Sequence, residues 1–316
     1  MDLSFDTSVP GRIFAAPFPL LRTATNCSMN QSPRPLYFDN HMHTPLCKHA
    51  EGDPEEYAEI ALQRGLKGIV FTCHSPMPDN WWPEVRMDVE QLDAYIALVQ
   101  RAAEVYAGRL DVRVGMEMDF FPGMEWWVER LNERCEFHHV LGSVHFFGRA
   151  YKERYFKGDL PEFQKTYFTH VAESAETGLF DTLAHPDLVK NLQGGLWDFE
   201  ALEEHIAGCL DRIARTGVAM ELNTSGINKA VAEFNPGPQM LRMMRERNIP
   251  VVLGSDSHTP RRVAADFDRA LDSLEKAGYA KVSCFLGRRR HDFAIAEVRQ
   301  SLKLPQRLVL SDAEKR

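Results

Sequence analysis

The sequence predicts an α/β fold with a mainly parallel sheet. Three observations carry this expectation. Short apolar runs alternate with longer amphipathic stretches about seven times from Leu36 onward. Proline or aspartate opens several of the amphipathic stretches, and glycine follows four of them, which is the order of helix start and stop signals. No long Gly/Ser/Pro linker interrupts the series. Alternation alone leaves a closed barrel and an open doubly wound sheet both available.

In chain order, a first strand is expected in "LYFDN", followed by a helix over 54–64 that starts on Pro54 and stops at Gly65. The run "KGIVFT" is the second strand, and a helix over 88–107 ends before Gly108. "DVRVGM" and "HHVLGSV" supply the next two strands, with a helix over 161–177 closed by Gly178. "LFDTLA" precedes a helix over 198–216 and Gly217; "GVAMEL" precedes one over 238–248; "IPVVLGS" precedes one over 261–277.

Composition narrows the class. The 316 residues are 44% hydrophobic and 26% charged, ordinary for a globular chain with a large core. The net charge of −8 argues against an extended nucleic-acid footprint, and no apolar run approaches the roughly 20 residues of a membrane span. Six cysteines without a Cys-x-x-Cys pair read as reduced thiols in a cytoplasmic protein. Residues 1–35 are expected to form an N-terminal extension rather than a secretory signal, since Arg12 and several prolines break their weak apolar stretch. Residues 36–316 are then expected to form one domain.

The histidines fall in a pattern against these runs. His41 and His43 follow the first, His74 the second, Glu117 the third, His145 the fourth and His185 the fifth, while Asp256 and His258 follow the last. In a parallel α/β fold the strand ends share one face, where active sites are built. Equal parity lets His41 and His43, and likewise Asp256 and His258, point to one side. Cys73 has the opposite parity to His74 and, with Cys47, is expected to be a bystander. With His49 added, nine metal-competent side chains converge, and so many titratable groups in one cleft would be costly without cations. Imidazole with carboxylate suits Zn²⁺, Fe²⁺ or Mn²⁺, and nine ligands exceed what one tetrahedral ion uses, so two or three ions are expected, with Glu117 as a bridge.

These residues resemble the polymerase-and-histidinol-phosphatase (PHP) superfamily, and within it the histidinol-phosphatase branch. The segments that carry the resemblance are "DNHMHTPLCKH", "GIVFTCHSPMP", "VGMEMDFFPG", "VLGSVHF", "GLFDTLAHPDLVK", "MELNTSG" and "LGSDSHTP", in the family's order from about Leu36 to Arg290. The resemblance implies a distorted (β/α)7 TIM-like barrel of the PHP type and a trinuclear metal centre. It implies that His41, His43, Glu117 and Asp256 hold a first ion, that Glu117 bridges to a second held by His145 and His185, and that His49, His74 and His258 hold the third. The implied reaction is hydrolysis of a phosphate monoester, L-histidinol phosphate, with Glu117, His185 and Asp256 acting through the cations that acidify the attacking water.

The chain departs from relatives where the phosphate would be met. Lys190 stands where arginine is common, and Asn228 and Lys229 follow "NTSG". Lys190, Lys229 and, after "SVHFFG", Arg149 are therefore the candidate phosphate-binding cations, and Asp119 is a candidate lining residue for a cationic leaving group. Three alternatives share parts of the pattern: a PHP phosphoesterase acting on nucleotides or sugar phosphates, an amidohydrolase-type metallohydrolase suggested by Asp-x-His-x-His, and a non-catalytic PHP module. His49 and the closing "GSDSH" count against the second, and the acidic charge and lack of a polymerase-sized region against the third. The lone basic run "GRRRH" is read as a solvated turn.

Overall fold

A computed structural model of the chain describes residues 34–78 and 81–304. The expected N-terminal extension lies, but for its last two residues, outside them. Nine α-helices and ten strands follow one another among the described residues. Strands β1 (Phe38–Asp39), β2 (Gly68–Phe71) and β3 (Asp111–Val114) form one parallel sheet. A second sheet runs through β4 (Met116–Asp119), β5 (Val140–Ser143), β6 (Thr182–Leu183), β7 (Ala219–Asn223), β8 (Val251–Gly254) and β9 (Lys281–Leu286), all parallel, and ends on β10 (Arg289–Ala294), antiparallel to β9.

Helices connect the strands as the alternation requires. Helix α1 (Pro54–Gln63) starts with a capping box between Asp53 and Glu56. Helix α2 (Leu92–Val105) follows a short 3₁₀ turn capped by Asp88. Helices α3 (Glu125–Asn132) and α4 (Arg149–Tyr155) were not expected from the sequence. Helix α5 (Leu160–Glu176) is capped by the Asp159 carboxylate, and α6 (Glu203–Thr216) ends on Gly217 at φ 75°. Helix α7 is Pro238–Glu246, α8 is Phe267–Lys276 and α9 is Ile295–Ser301. Helix α8 starts later than expected because the chain before it is drawn inward: Ala264 N donates to the Asp39 carboxylate at 2.7 Å, and Ala264 and Asp266 take left-handed φ values of 52° and 60°. No helix among the described residues is long and apolar enough to cross a membrane.

The run expected as a single strand, "DVRVGM", is broken at Gly115 into β3 and β4. Gly115 N donates to Phe71 O at 2.7 Å, and a Cβ there would lie 2.5 Å from His139 O. Only glycine lets the chain pass so close to two neighbouring backbones while it changes sheets. The Tyr95 hydroxyl, 2.8 Å from Phe71 O and 2.9 Å from Gly115 O, braces the break.

The two sheets are joined by two single parallel bridges, His74↔Glu117 beyond β2 and Met42↔Ser257 beyond β1 and β8, in place of a continuously paired ring. Below the second bridge, side chains take over from backbone. The Tyr37 hydroxyl donates to Ser283 O at 2.6 Å and accepts from Leu253 N at 3.0 Å, while Asp39 accepts from Ser255 N at 3.0 Å. The result is a distorted TIM-like arrangement with strand ends gathered on one side. Both bridges involve segments that carry the histidines.

Candidate metal centre

Glu117 sits at the middle of the site, within β4 rather than beyond it, and is 1% exposed. Its two carboxylate oxygens face different sets of imidazoles. Oε1 is 2.9 Å from His185 Nε2 and 3.5 Å from His145 Nε2, and accepts from Ser143 Oγ at 2.5 Å. Oε2 is 2.7 Å from His74 Nδ1, 3.5 Å from His41 Nε2 and 3.8 Å from His43 Nε2. Asp256 adds a second carboxylate whose Oδ1 lies 3.2 Å from His43 Nε2, 3.4 Å from His258 Nδ1 and 3.7 Å from His41 Nε2. His49 Nε2 completes the group 2.9 Å from His258 Nε2. All nine side chains expected to bind metal thus meet in one place.

Second partners orient the rings. His41 Nδ1 meets Glu221 Oε1 at 2.7 Å, and His145 Nδ1 meets Asp119 Oδ1 at 2.6 Å. His49 Nδ1 meets Cys47 O at 2.7 Å, and His258 Nδ1 meets Asp256 O at 3.1 Å. Each partner is an acceptor, so each Nδ1 carries a proton and Nε2 is the nitrogen left to face the centre. Glu221 also accepts from His185 N at 2.8 Å, so one buried carboxylate aligns two candidate ligands. A Cβ at Gly254 would collide with Glu221 Oε1, so glycine at the end of β8 makes room for that contact. His185 and Asp256 are held at φ 29° and 50°, left-handed values that strain non-glycine residues and concentrate at functional sites.

The electrostatics suit cations. Burial alone would raise the pKa of Glu117, but the imidazoles of His74, His41 and His145 hold it well below the usual carboxylate range. Asp256 is likewise held down against burial by His41 and His43. Burial lowers His74 to about 4, and burial together with the His43 ring lowers His258 and His49, so these imidazoles are neutral and free to coordinate. His41 Nε2, both ring nitrogens of His43, His74 Nδ1 and Glu117 Oε2 are buried without a well-aligned hydrogen bond, even where an oxygen and a nitrogen lie as close as the 2.7 Å of His74 and Glu117. A buried polar atom left unpaired costs about 1–3 kcal/mol, and divalent cations between these atoms would satisfy all of them. The donor set fits. Groups close enough to share an ion include His41, His43 and Asp256; His74, Glu117 and His145; and His43, His74 and His258. His74 therefore stands between Glu117 and the His258 side.

Cys47 and Cys73, expected as bystanders, lie behind this cluster. Both are buried, and Cys73 Sγ accepts from Thr44 Oγ1 at 3.3 Å. Their sulfurs and a His43 ring nitrogen lie within 4.8 Å of one another.

A cavity of about 160 Å³ opens over the cluster, lined by His49, His74, His145, His185, Asp256 and His258 together with Trp82, Val85, Arg86, Phe147, Leu188 and Lys229. Of the three cations expected to bind phosphate, the structure brings Lys229 alone to this cavity. Lys190 is fully buried elsewhere, bonded to Asp187 Oδ2 at 3.0 Å and Phe234 O at 2.6 Å, where it ties two loops together. Arg149 lies on the outer surface of α4, 91% exposed and paired with Glu153. Asp119, expected as a lining residue, instead carries His145 on one oxygen and Arg86 on the other. Sequence reasoning missed Glu221 and Arg86. Glu221 had a signal, a carboxylate inside the apolar run "VAMEL"; Arg86 had none.

Replacing Glu221 by Gln is expected to weaken metal affinity by about 10- to 100-fold, because His41 loses the carboxylate that fixes its tautomer. Chelator competition with the purified protein measures this. An unchanged affinity would remove Glu221 from the supporting role.

The PHP domain family model matches residues 39–225 of this chain. A probable histidinol-phosphatase of Deinococcus radiodurans is 42% identical over 246 residues, covering 76% of this chain and 93% of that protein. The histidinol-phosphatase of Bacillus subtilis is 28% identical over 270 residues, covering 74% and 98%. Among solved structures, the histidinol phosphate phosphatase of Lactococcus lactis, complexed with zinc, L-histidinol and phosphate, superposes with a TM-score of 0.69 at 19% identity, covering 81% of this chain and 98% of that one.

Proposed function

The chain belongs to the PHP domain family, and from that premise we propose that it is a histidinol-phosphatase, hydrolysing L-histidinol phosphate to L-histidinol and phosphate. The observation that carries the reading is Glu117, whose two oxygens are each ringed by imidazoles, among them the His74, His145 and His185 that line a cavity shared with Lys229. Its relatives from Deinococcus and Bacillus share most of the chain's length and bear that activity in their names.

Three divalent ions are assigned to the cluster, drawn from Zn²⁺, Mn²⁺ and Fe²⁺. His41, His43, Glu117 and Asp256 would hold the first; Glu117, His145 and His185 the second; His49, His74 and His258 the third. When bound, such ions acidify water and neutralise charge on phosphoryl oxygens. The chain's own contribution is to hold the ligands rigid, through Glu221 beneath His41 and His185 and Asp119 beneath His145. Lys229 brings a point charge toward the phosphoryl group, without the paired donors of arginine. Trp82, Phe147 and Leu188 give the cavity apolar walls that limit water. The catalytic domain is assigned to residues 36–316 of a cytoplasmic protein.

The test is a phosphate-release screen of purified, metal-loaded protein on histidinol phosphate beside nucleotides and sugar phosphates. Histidinol phosphate is expected to give the highest kcat/KM. A nucleotide or sugar phosphate that outperforms it would reject the substrate while leaving the phosphatase.

A further inference from the structure

Two cationic side chains line the cavity over the cluster, and one of them, Arg86, was assigned no role by the sequence. We infer that Arg86 is the residue that recognises the phosphoryl group of the ester, an inference that rests on the phosphatase reading above. Lys190 and Arg149, placed nearest the relevant motifs in the sequence, are held elsewhere, so Lys229 would otherwise face a phosphate dianion alone.

The Arg86 side chain is 4% exposed and held in place. Its Nε donates to Trp82 O at 3.2 Å, and its Nη1 donates to Ser75 O at 3.1 Å and to Asp119 Oδ2. The guanidinium lies 5.6 Å from the centre of the Trp82 ring. With Nε and Nη1 engaged, Nη2 is the nitrogen left without a partner among the described residues, and a guanidinium held this way is preorganised for an anion, since its rotamer freedom is already lost before binding.

The chemistry of the two ends of the substrate selects which end it meets. Histidinol carries an ammonium group that a guanidinium repels, whereas the phosphoryl group carries the negative charge. Asp119 joins the two sites, because the carboxylate that aligns His145 also positions Arg86. A strut has no need to line the cavity above a cluster of imidazoles, as Arg86 does beside Lys229.

The test uses the zinc-loaded enzyme, with inorganic phosphate and L-histidinol as separate competitive inhibitors. Arg86→Met is expected to raise the phosphate inhibition constant about 30-fold, the loss of charge-assisted hydrogen bonds, and to raise KM for the ester in parallel. Its L-histidinol inhibition constant is expected to stay within about twofold, because the alcohol makes no such bond. Arg86→Lys keeps the charge and can still reach Asp119, so it is expected to fall between wild type and Arg86→Met, and it decides the matter if the methionine variant does not fold. An unchanged phosphate constant overturns the inference. So does parallel weakening of phosphate and histidinol in both variants, which would mark a strut. If the wild type ignores histidinol phosphate, phosphate binding to the same proteins by calorimetry separates the questions: loss in Arg86→Met upholds Arg86 while the ester assignment fails, and equal binding overturns Arg86.

Discussion

Dialysis against a strong chelator is expected to lower phosphate release by about three orders of magnitude or more, and Zn²⁺, Mn²⁺ or Fe²⁺ to restore it. Without cations, protons take their place: against the burial that lowers them, Glu221 holds His41, Asp256 holds His43 and Asp119 holds His145 above the usual imidazole range, so these rings are blocked as ligands. Glu117 and Asp256 are held as carboxylates, and the neutral imidazoles of His49, His74 and His258 can neither donate charge to a phosphate dianion nor remove a proton from water at useful strength. Buried nitrogens on His41, His43 and His74 without a well-aligned hydrogen bond would remain unsatisfied. The chelated protein is expected to keep its secondary structure, because the core lies around and beneath the cluster, but to melt at a lower temperature as the cations' binding energy is lost. Steady-state rates before and after metal return, with circular dichroism as the control, measure both effects. Full activity in verified metal-free protein would refute the mechanism.

Glu117→Gln is expected to reduce turnover by about three orders of magnitude or more while the fold survives. The substitution keeps shape and one carbonyl oxygen but removes the charge that both imidazole sets share, His185 and His145 on one oxygen and His74, His41 and His43 on the other. An amide also turns one of those two oxygens into an NH₂ group, which donates where a lone pair is needed. Because Glu117 lies against both sets of imidazoles, metal stoichiometry is expected to fall along with the rate. His185→Ala is expected to act in the same direction through one oxygen of the same carboxylate. Near-normal turnover in Glu117→Gln would remove this residue from the centre.

The cluster was legible in the sequence because metal-competent residues fell repeatedly at strand ends, and parallel strands bring those ends together wherever the strands sit. Parity placed His41 with His43 and Asp256 with His258 for the same reason. The break at Gly115 was not legible: a lone glycine in the run "DVRVGM" does not mark a change of sheet, which is set by contacts with Phe71 and His139, remote in sequence. The basic run at 287–291, expected as a solvated turn, turns at Gly287 and Arg288 and continues as strand β10. Gly287 and Arg288 both take positive φ there, 57° and 61°, and an arginine in that conformation carries no turn signal of the Asn-Gly kind. Helix α8 starts late because Asp39, more than two hundred residues earlier, captures the backbone before it. Lys190 and Arg149 stand beside the motifs along the chain but not in space, where one is buried against Asp187 and the other exposed on α4. Arg86 reaches the cavity from a loop without periodicity, through partners at Ser75 and Asp119 that no spacing rule connects.

Everything proposed here depends on cations lying against the two faces of one carboxylate. Anomalous X-ray diffraction from crystals of zinc-loaded protein, collected at the zinc edge, addresses that directly. Peaks are expected on both sides of the Glu117 side chain, one toward His41, His43 and Asp256 and one toward His145 and His185, with a further peak near His49 and His258. Zinc found only on the outer surface, with none against Glu117, would contradict the account.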